Sequence, residues 1–396
     1  MQSDHGDEEV PQGSVVVLVL SIAATTITTL PVFLTGALDV IIRRQLGLSS
    51  SELGLLVAGF FAFAVPASLA IAPRVALIGA ARIMKVAGSA ATLALLVIAA
   101  VGHSFFVLLG ALMVAGLANG AMQPAVNLYL TSRVHLARQG FAFGVKQAAI
   151  PVSTLLAGVS VPLVAIDLGW RYAYLGAALV ALIVTLVLPK ANRSQEGNAD
   201  RRQKTTVVLK PLVFLAIGIG LGAGAANGLG AFFISSTAHI GVALGTAGYL
   251  ASLGSLASLI TRIGSGYFAD RRSGNHFVVV AVMLSGGAIG YLLLSLGQRP
   301  LVVVAAVLAY AAGWGWNGVF NYAVARTHPQ ATGHATGITQ AGAFAGSVFG
   351  PLIFGVIVDH LGYVDAWRFA ALLAILAAIA IMIGRSLLLD EIATRG

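Results

Sequence analysis

Twelve apolar runs dominate this sequence, and each is long enough to cross a bilayer. They lie at 15–40, 51–72, 81–101, 104–130, 140–166, 170–189, 211–237, 246–268, 276–297, 300–324, 334–358 and 366–387. A membrane-crossing helix needs about 20 apolar residues. Twelve such runs cannot all be core helices of one soluble domain. In lipid every backbone N–H and C=O must be satisfied within the segment, so runs of this length are expected to be helices. Composition agrees: 58% of residues are hydrophobic and 9% charged, against about 25% charged in a soluble domain. An ordinary soluble enzyme, a DNA-binding protein and a disordered chain are excluded. The first run does not read as a cleaved secretory signal, because its flank carries Asp4, Asp7, Glu8 and Glu9 where a signal needs positive charge. With no cysteine, neither a disulfide framework nor a thiolate metal site is available.

An even number of spans puts both termini on one side, and Lys and Arg placement says which. With the termini cytoplasmic, sixteen of the 23 basic residues fall inside, five fall outside and two, Lys146 and Arg262, fall within spans. The positive-inside rule favours that orientation. The net charge of +9 therefore reports topology and not a nucleic-acid partner. The expected location is the inner (cytoplasmic) membrane, multi-pass. The longest polar stretch, 190–210, holds Lys190, Arg193, Glu196, Asp200, Arg201, Arg202 and Lys204. It reads as a cytoplasmic linker between an N-terminal bundle at 15–189 and a C-terminal bundle at 211–388, with tails at 1–14 and 389–396.

The two halves resemble each other at an offset of about 195 residues. Gly140, Gly144, Gln147 and Ala148 match Gly333, Gly337, Gln340 and Ala341; Asn119-Gly120 matches Asn317-Gly318; Trp170-Arg171 matches Trp367-Arg368. Two similar six-helix halves place a solute site near the midplane between them. Gly266-Tyr-Phe-Ala-Asp270-Arg271-Arg272, between spans eight and nine, matches the Gly-x-x-x-Asp-Arg loop of the major facilitator superfamily, and Gly169-Trp170-Arg171 fits span six of that family. On these residues the chain resembles that superfamily over essentially its whole length. The resemblance implies an all-α membrane protein of twelve helices in two pseudo-symmetric bundles. It also implies a conformational role for Gly266, Asp270 and Arg271. The equivalent loop between spans two and three has Ala76 where the Asp is expected, so the second-half loop would do that work alone.

Ionisable groups inside a span cost about 2.5–3.5 kcal/mol at the bilayer centre on insertion scales, which makes them functional candidates. Lys146 lies eight residues beyond Arg138, and Arg262 eight residues before Asp270, so both sit ~12 Å from the cytoplasmic end. Two cations at one depth on facing helices repel unless an anion lies between them. Arg suits a planar carboxylate, and Lys acts as a point charge. The bland reading is that both snorkel to the headgroups. Arg262 to Asp270 is similar to span eight of the monocarboxylate transporters, and Gly144 to Pro151 more loosely resembles cyanate-type permeases. Asn119, Gln123 and Asn127 recur every four residues and share one face of span four. Gln147, Gln340, Asn227 and Asn317 are the other buried polar candidates for orienting a substrate, with interhelical hydrogen bonding as the alternative for each.

No Asp or Glu falls at mid-membrane, where an exporter of organic cations is expected to keep one. Asp39 is the candidate for proton coupling, with an i,i+4 pair to Arg43 on the helix surface as the competing reading. No phosphate-binding loop, metal-ligand cluster or acid–base constellation is present, so no enzyme activity, catalytic residue, cofactor or metal is expected. The sequence points to a monomeric secondary transporter of a small organic anion, a carboxylate first, compatible with proton symport. The alternative is a proton-coupled exporter of hydrophobic compounds.

Overall fold

The computed structural model describes residues 12–135, 139–189, 209–271, 275–328 and 331–395, all in helices and short connections. The spans are Gln12–Ala37 (one), Ser50–Ile71 (two), Ala80–Val101 (three), Phe105–Thr131 (four), Trp170–Val187 (six), Leu209–His239 (seven), Leu244–Arg271 (eight), His276–Ser295 (nine), Thr332–Leu361 (eleven) and Tyr363–Arg395 (twelve). Span five is two helices, Gln139–Lys146 and Ala149–Ser160, continued by a π turn at Val161–Ala165; span ten is Val302–Ala311 followed by Asn317–Thr327. Among the described residues eleven helices are long and apolar enough to cross a bilayer, and the broken span ten supplies the twelfth crossing. Of the linker expected at 190–210, residues 190–208 lie outside the described residues, as do the first eleven, and Leu209 and Lys210 already belong to span seven. Span twelve continues as helix to Arg395, through the stretch read as a C-terminal tail.

Within each half the helices approach closely because glycine faces backbone. Span seven packs against span eleven through Gly220, Gly224, Gly342, Gly346 and Gly350, and a Cβ on Gly346 would lie 1.7 Å from the Gly220 carbonyl oxygen. Spans two and four meet in the same way: a Cβ on Gly116 or Gly120 would lie 2.1 Å from the carbonyl oxygen of Phe60 or Ala64. Lipid tails are as apolar as leucine, so packing and hydrogen bonding, not the hydrophobic effect, hold such helices together. Gly342, Gly346 and Gly350 recur every four residues in span eleven, a spacing that lets helices approach closely, and the structure identifies span seven as the partner.

The two halves are sealed at one end of the molecule, the end where spans one, seven and eleven finish and where two, eight and twelve begin; they also meet deeper, where the first helix of span five lies against span eight and the second helix of span ten. Three seams close at the sealed end. Gly36 of span one abuts Gly230 and Ala231 of span seven. Gly54 of span two abuts Pro351 of span eleven, and Gly355 abuts the Ser50 carbonyl. Gly158 of span five abuts Gly248 of span eight. Added Cβ atoms would fall 2.4–2.8 Å from backbone oxygen at each of these contacts, which is too close for any side chain. An aromatic layer reinforces the seal: Phe33 of span one packs edge-on against Trp314 of span ten at 5.5 Å, and Trp314 lies 6.0 Å from Tyr310. Span eleven also indicates where the halves part. Gln340 lies eleven residues before Pro351, close to three full turns, so it shares the face that meets span two at the sealed end. Gln340 is nonetheless exposed, so that face is uncovered toward the end that carries the chain termini.

Glycine substitution separates these contacts from open positions. Gly346→Ala should lower the apparent melting temperature in detergent, with a loss of about 2 kcal/mol or more from overpacking. Gly110→Ala, whose Cβ would meet nothing within 4 Å, should leave it unchanged or slightly raised.

Candidate functional site

The site region lies just below the aromatic layer, where spans five and ten both break. Span five unwinds at Gln147 and Ala148, directly after Lys146. Pro151 lies four residues beyond Gln147 and has no N–H, so the Gln147 carbonyl loses its helical donor. Span ten unwinds over 312–316, a stretch with Gly313 and Gly315, and leaves the Trp314 carbonyl free of a helix. A bare carbonyl in a membrane interior costs several kcal/mol. Arg262 of span eight satisfies both. Its Nη1 donates to the Gln147 oxygen at 2.9 Å and its Nη2 to the Trp314 oxygen at 2.8 Å. The side chain is 2% exposed, and its Nε–H has no partner. A guanidinium with its donors in a rigid fork can bridge two carbonyls on different helices; a single ammonium is a poorer fit.

Lys146 points elsewhere. Its Nζ donates to Gln123 Oε1 and Asn127 Oδ1 of span four, each at 2.7 Å. Gln123 in turn donates to Asn119 Oδ1 at 3.2 Å, and Thr28 of span one donates to the same oxygen at 3.4 Å. The four-residue polar face read in span four is therefore the cradle of the lysine. Lys146 is 5% exposed, and both of its partners are neutral amide oxygens. Lys146 and Arg262 thus converge on one break in span five but use different partners: the first binds within the N-terminal half, and the second binds across to span five and within its own half to span ten. Neither snorkels.

The other expected site residues are scattered around these two. Asn119 is buried in the lysine network. Gln147 contributes its carbonyl, and its side chain is half-buried. Asn317 donates to the Trp314 carbonyl at 3.4 Å, on the same oxygen that Arg262 holds. Asn227 is not in this group: it donates to Ser347 Oγ and to its own helix at Ala223, tying span seven to span eleven. Gln340 is exposed on the uncovered face described above. The helix of span eight reaches Arg271, but the side chains of Gly266, Asp270 and Arg271 lie outside the described residues. Asp39 is within 3.6 Å of Arg43, the i,i+4 pair expected. That pair is not on an open helix surface, however. Asp39 is fully buried at the sealed end, and neither carboxylate oxygen has a hydrogen-bond donor. The helix turns at Leu38 and restarts at Asp39, which carries the side chain inward.

A set of hydroxyls went unread in the sequence. Thr29 of span one meets Ser153 of span five at 2.7 Å, and Thr26 donates to the Ala149 carbonyl. Across the halves, Ser255 of span eight donates to Thr154 at 2.8 Å and Ser252 donates to the Leu155 carbonyl. The signal was the threonine-rich stretch Thr25, Thr26, Thr28 and Thr29, dense for an apolar run. Threonine can also satisfy its own helix, as Thr25 does on the Ser21 carbonyl, which kept the stretch ambiguous.

The brace makes a double-mutant prediction. Pro151→Ala restores an N–H that can reach the Gln147 oxygen. Arg262→Met should therefore cost less stability in the Pro151→Ala background than alone, by about 1 kcal/mol, the usual worth of one hydrogen bond. Additive melting shifts would show that Pro151 and Arg262 are uncoupled.

The comparisons with known proteins fit this architecture. The sequence profile described as Major Facilitator Superfamily matches residues 15–317 and 215–395. Two solved structures of a bacterial homolog to the human lysosomal transporter Spinster share the fold. The inward-facing, unoccupied form is 16% identical, with a TM-score of 0.66 over 96% of this chain and 97% of that one. The inward-facing, occupied form is 15% identical, with a TM-score of 0.68 over the same shares. No curated protein matches the sequence. Matches over both halves, together with the paired helical bundles, establish that this chain belongs to the major facilitator superfamily.

Proposed function

We propose that the chain is a secondary active transporter of a small organic anion, a carboxylate first, that works by alternating access with the substrate held between the halves near Lys146 and Arg262. The observation that carries this reading is the burial of two cations, flanking one break in span five, with only neutral partners. Lys146 and Arg262 are at most 5% exposed, and every hydrogen bond they make goes to a neutral oxygen. Burying an ammonium or guanidinium without a counter-charge is costly, and a substrate carboxylate offers the missing charge. Charge-assisted hydrogen bonds are about twice as strong as neutral ones, so a carboxylate can displace an amide oxygen from Lys146. An organic cation entering the same region would meet two positive charges and no described carboxylate partner.

Under the basic-residue asymmetry the termini are cytoplasmic, so the sealed end is the outer one and the access path runs toward the cytoplasm. Asn119, Gln147 and Asn317 lie in the same polar region and would orient the anion. Asn227 ties span seven to span eleven and Gln340 lies on the uncovered face, so both would act at a distance from it. Asp39, buried at the closed seam beside Arg43, is the group we assign to proton symport. Entry of an anion into a negative-inside cell needs a compensating cation, and a carboxylate that is desolvated when the seam closes can carry one.

A thermal-shift screen of the purified protein in detergent tests the substrate class. Small carboxylates should raise the melting temperature, and Lys146→Ala should abolish the response. At a concentration 100 times the dissociation constant the stabilisation should be about 2.7 kcal/mol. Stabilisation by bulky cations or neutral hydrophobic compounds, or an anion response that survives Lys146→Ala, would transfer the assignment to the exporter of hydrophobic compounds.

A further inference from the structure

Span two begins at the sealed end, and the accounting of its first turn is unusual. A helix leaves its first N–H groups without intrahelical partners. Here the capping box takes two: Ser49 Oγ accepts from the Glu52 N–H at 3.1 Å, and Glu52 accepts from the Ser49 N–H at 2.7 Å. The N–H groups of Ser50 and Ser51 remain, and neither is satisfied from its own half. Both donate to Asp359 of span eleven, Ser50 to Oδ1 at 2.9 Å and Ser51 to Oδ2 at 2.7 Å; the Ser51 hydroxyl adds a third bond at 2.5 Å. One carboxylate from the C-terminal half therefore completes a helix N-terminus in the N-terminal half, where the partial positive charge of the helix favours an anion.

The register that makes this possible is built into span eleven. Pro351, Gly355 and Asp359 are spaced by four and lie on one face. The first two positions are backbone contacts with span two: Pro351 against Gly54, and Gly355 against the Ser50 carbonyl. Only with glycine at 54 and 355 do the two helices come close enough for Asp359 to reach both N–H groups. The same seam buries Asp39 of the N-terminal half near Ser235 and Tyr363 of the C-terminal half. Asp359 is the exposed member of this closed rim, and its carboxylate is fully engaged across it.

We infer that Asp359 is the latch of the outer gate: its carboxylate, by completing the first turn of span two, holds the halves together at the sealed end, and its release accompanies opening there. Asp359 is a positioning residue, which sets the balance between the two access states and does not contact substrate. In the open state water would replace it at Ser50 and Ser51, so the latch biases the equilibrium without fixing it. This inference rests on the alternating-access reading of the preceding subsection.

The chain has no cysteine, so single cysteines report each end directly. Ile234→Cys sits in the closed seam at 4% exposure, and Gln340→Cys sits on the uncovered face. Purified protein in detergent is labelled with a water-soluble maleimide in the parent and in Asp359→Asn, which keeps the shape but turns one acceptor into a donor facing an N–H. Labelling at Ile234→Cys should rise about tenfold, the worth of one lost charge-assisted hydrogen bond, while labelling at Gln340→Cys falls. Asp359→Glu should return both rates toward the parent. Unchanged rates in Asp359→Asn overturn the latch, and so does a parallel rise at both positions, which reports loosening of the fold instead of a shift between states. Gly355→Ala, whose Cβ would lie 2.4 Å from the Ser50 oxygen, separates the two levels of the argument. If it shifts the two rates in opposite directions while Asp359→Asn does not, the latch fails and alternating access stands. If neither variant shifts them, both readings fail.

Discussion

The bridge from Arg262 to the carbonyls of Gln147 and Trp314 is the constraint around which the centre of the molecule is arranged. A bilayer tolerates a broken helix only where protein supplies the missing hydrogen bonds. Two breaks face each other here, one in each half, and one side chain closes both. The charge of that side chain is then committed to neutral oxygens at 2% exposure. Breaks, brace and buried charge are one feature. A continuous span five would leave the guanidinium without one of its acceptors, and a neutral residue at 262 would leave the Gln147 carbonyl bare and the Trp314 carbonyl with only the long bond from Asn317.

The seams between the halves follow a different logic. At the sealed end, glycine against backbone brings spans one and seven, two and eleven, and five and eight into direct contact. These contacts gain dispersion energy but little specific hydrogen bonding, so they separate without exposing many unsatisfied groups. The polar links across the seam, Ser255 to Thr154, Ser252 to the Leu155 carbonyl and Asp359 to Ser50 and Ser51, involve donors that water can serve equally well once the seam opens. An interface of this kind is close-fitting yet reversible. Inside the C-terminal half, by contrast, the contact of Gly346 with Gly220 runs the length of two helices and is joined by the bond from Asn227 to Ser347, which suits a body that moves as a unit.

What could be read from the sequence divides by distance along the chain. The spans, the face shared by Asn119, Gln123 and Asn127, the glycine spacing in span eleven and the Asp39–Arg43 pair all depend on residues within a turn or two of each other, and the structure contains each of them. Pairings between distant segments were not readable. Nothing in the sequence around Asp359 sets it apart, because its partners, Ser50 and Ser51, lie more than 300 positions away. Lys146 and Arg262 were expected to face each other across an anion on the basis of equal depth. Depth alone does not set direction: the short helix ending at Lys146 turns its ammonium to span four, and Arg262 is drawn to backbone by the breaks. The breaks themselves left partial signals, Pro151 in span five and the glycines of span ten. Proline and glycine are common in membrane helices without unwinding them, so those signals were too weak to locate the site.

The two cations therefore stand in unequal positions toward a substrate. Lys146 can give up the oxygen of Gln123 at modest cost, because that amide keeps its bond to Asn119, which Thr28 also holds. Arg262 cannot leave its carbonyls so cheaply, since that of Gln147 would be stranded at a helix break and that of Trp314 would keep only the long bond from Asn317. Its unpartnered Nε–H is the donor that can be offered without dismantling the brace. On the proposed reading an anion would first be held by Lys146 and would engage Arg262 fully only by taking it from Gln147, which is the bond that crosses between the halves. Occupancy of the site and the tie between spans five and eight would then compete for the same guanidinium. Such competition is a direct physical route by which a bound carboxylate can loosen one half from the other at mid-membrane depth.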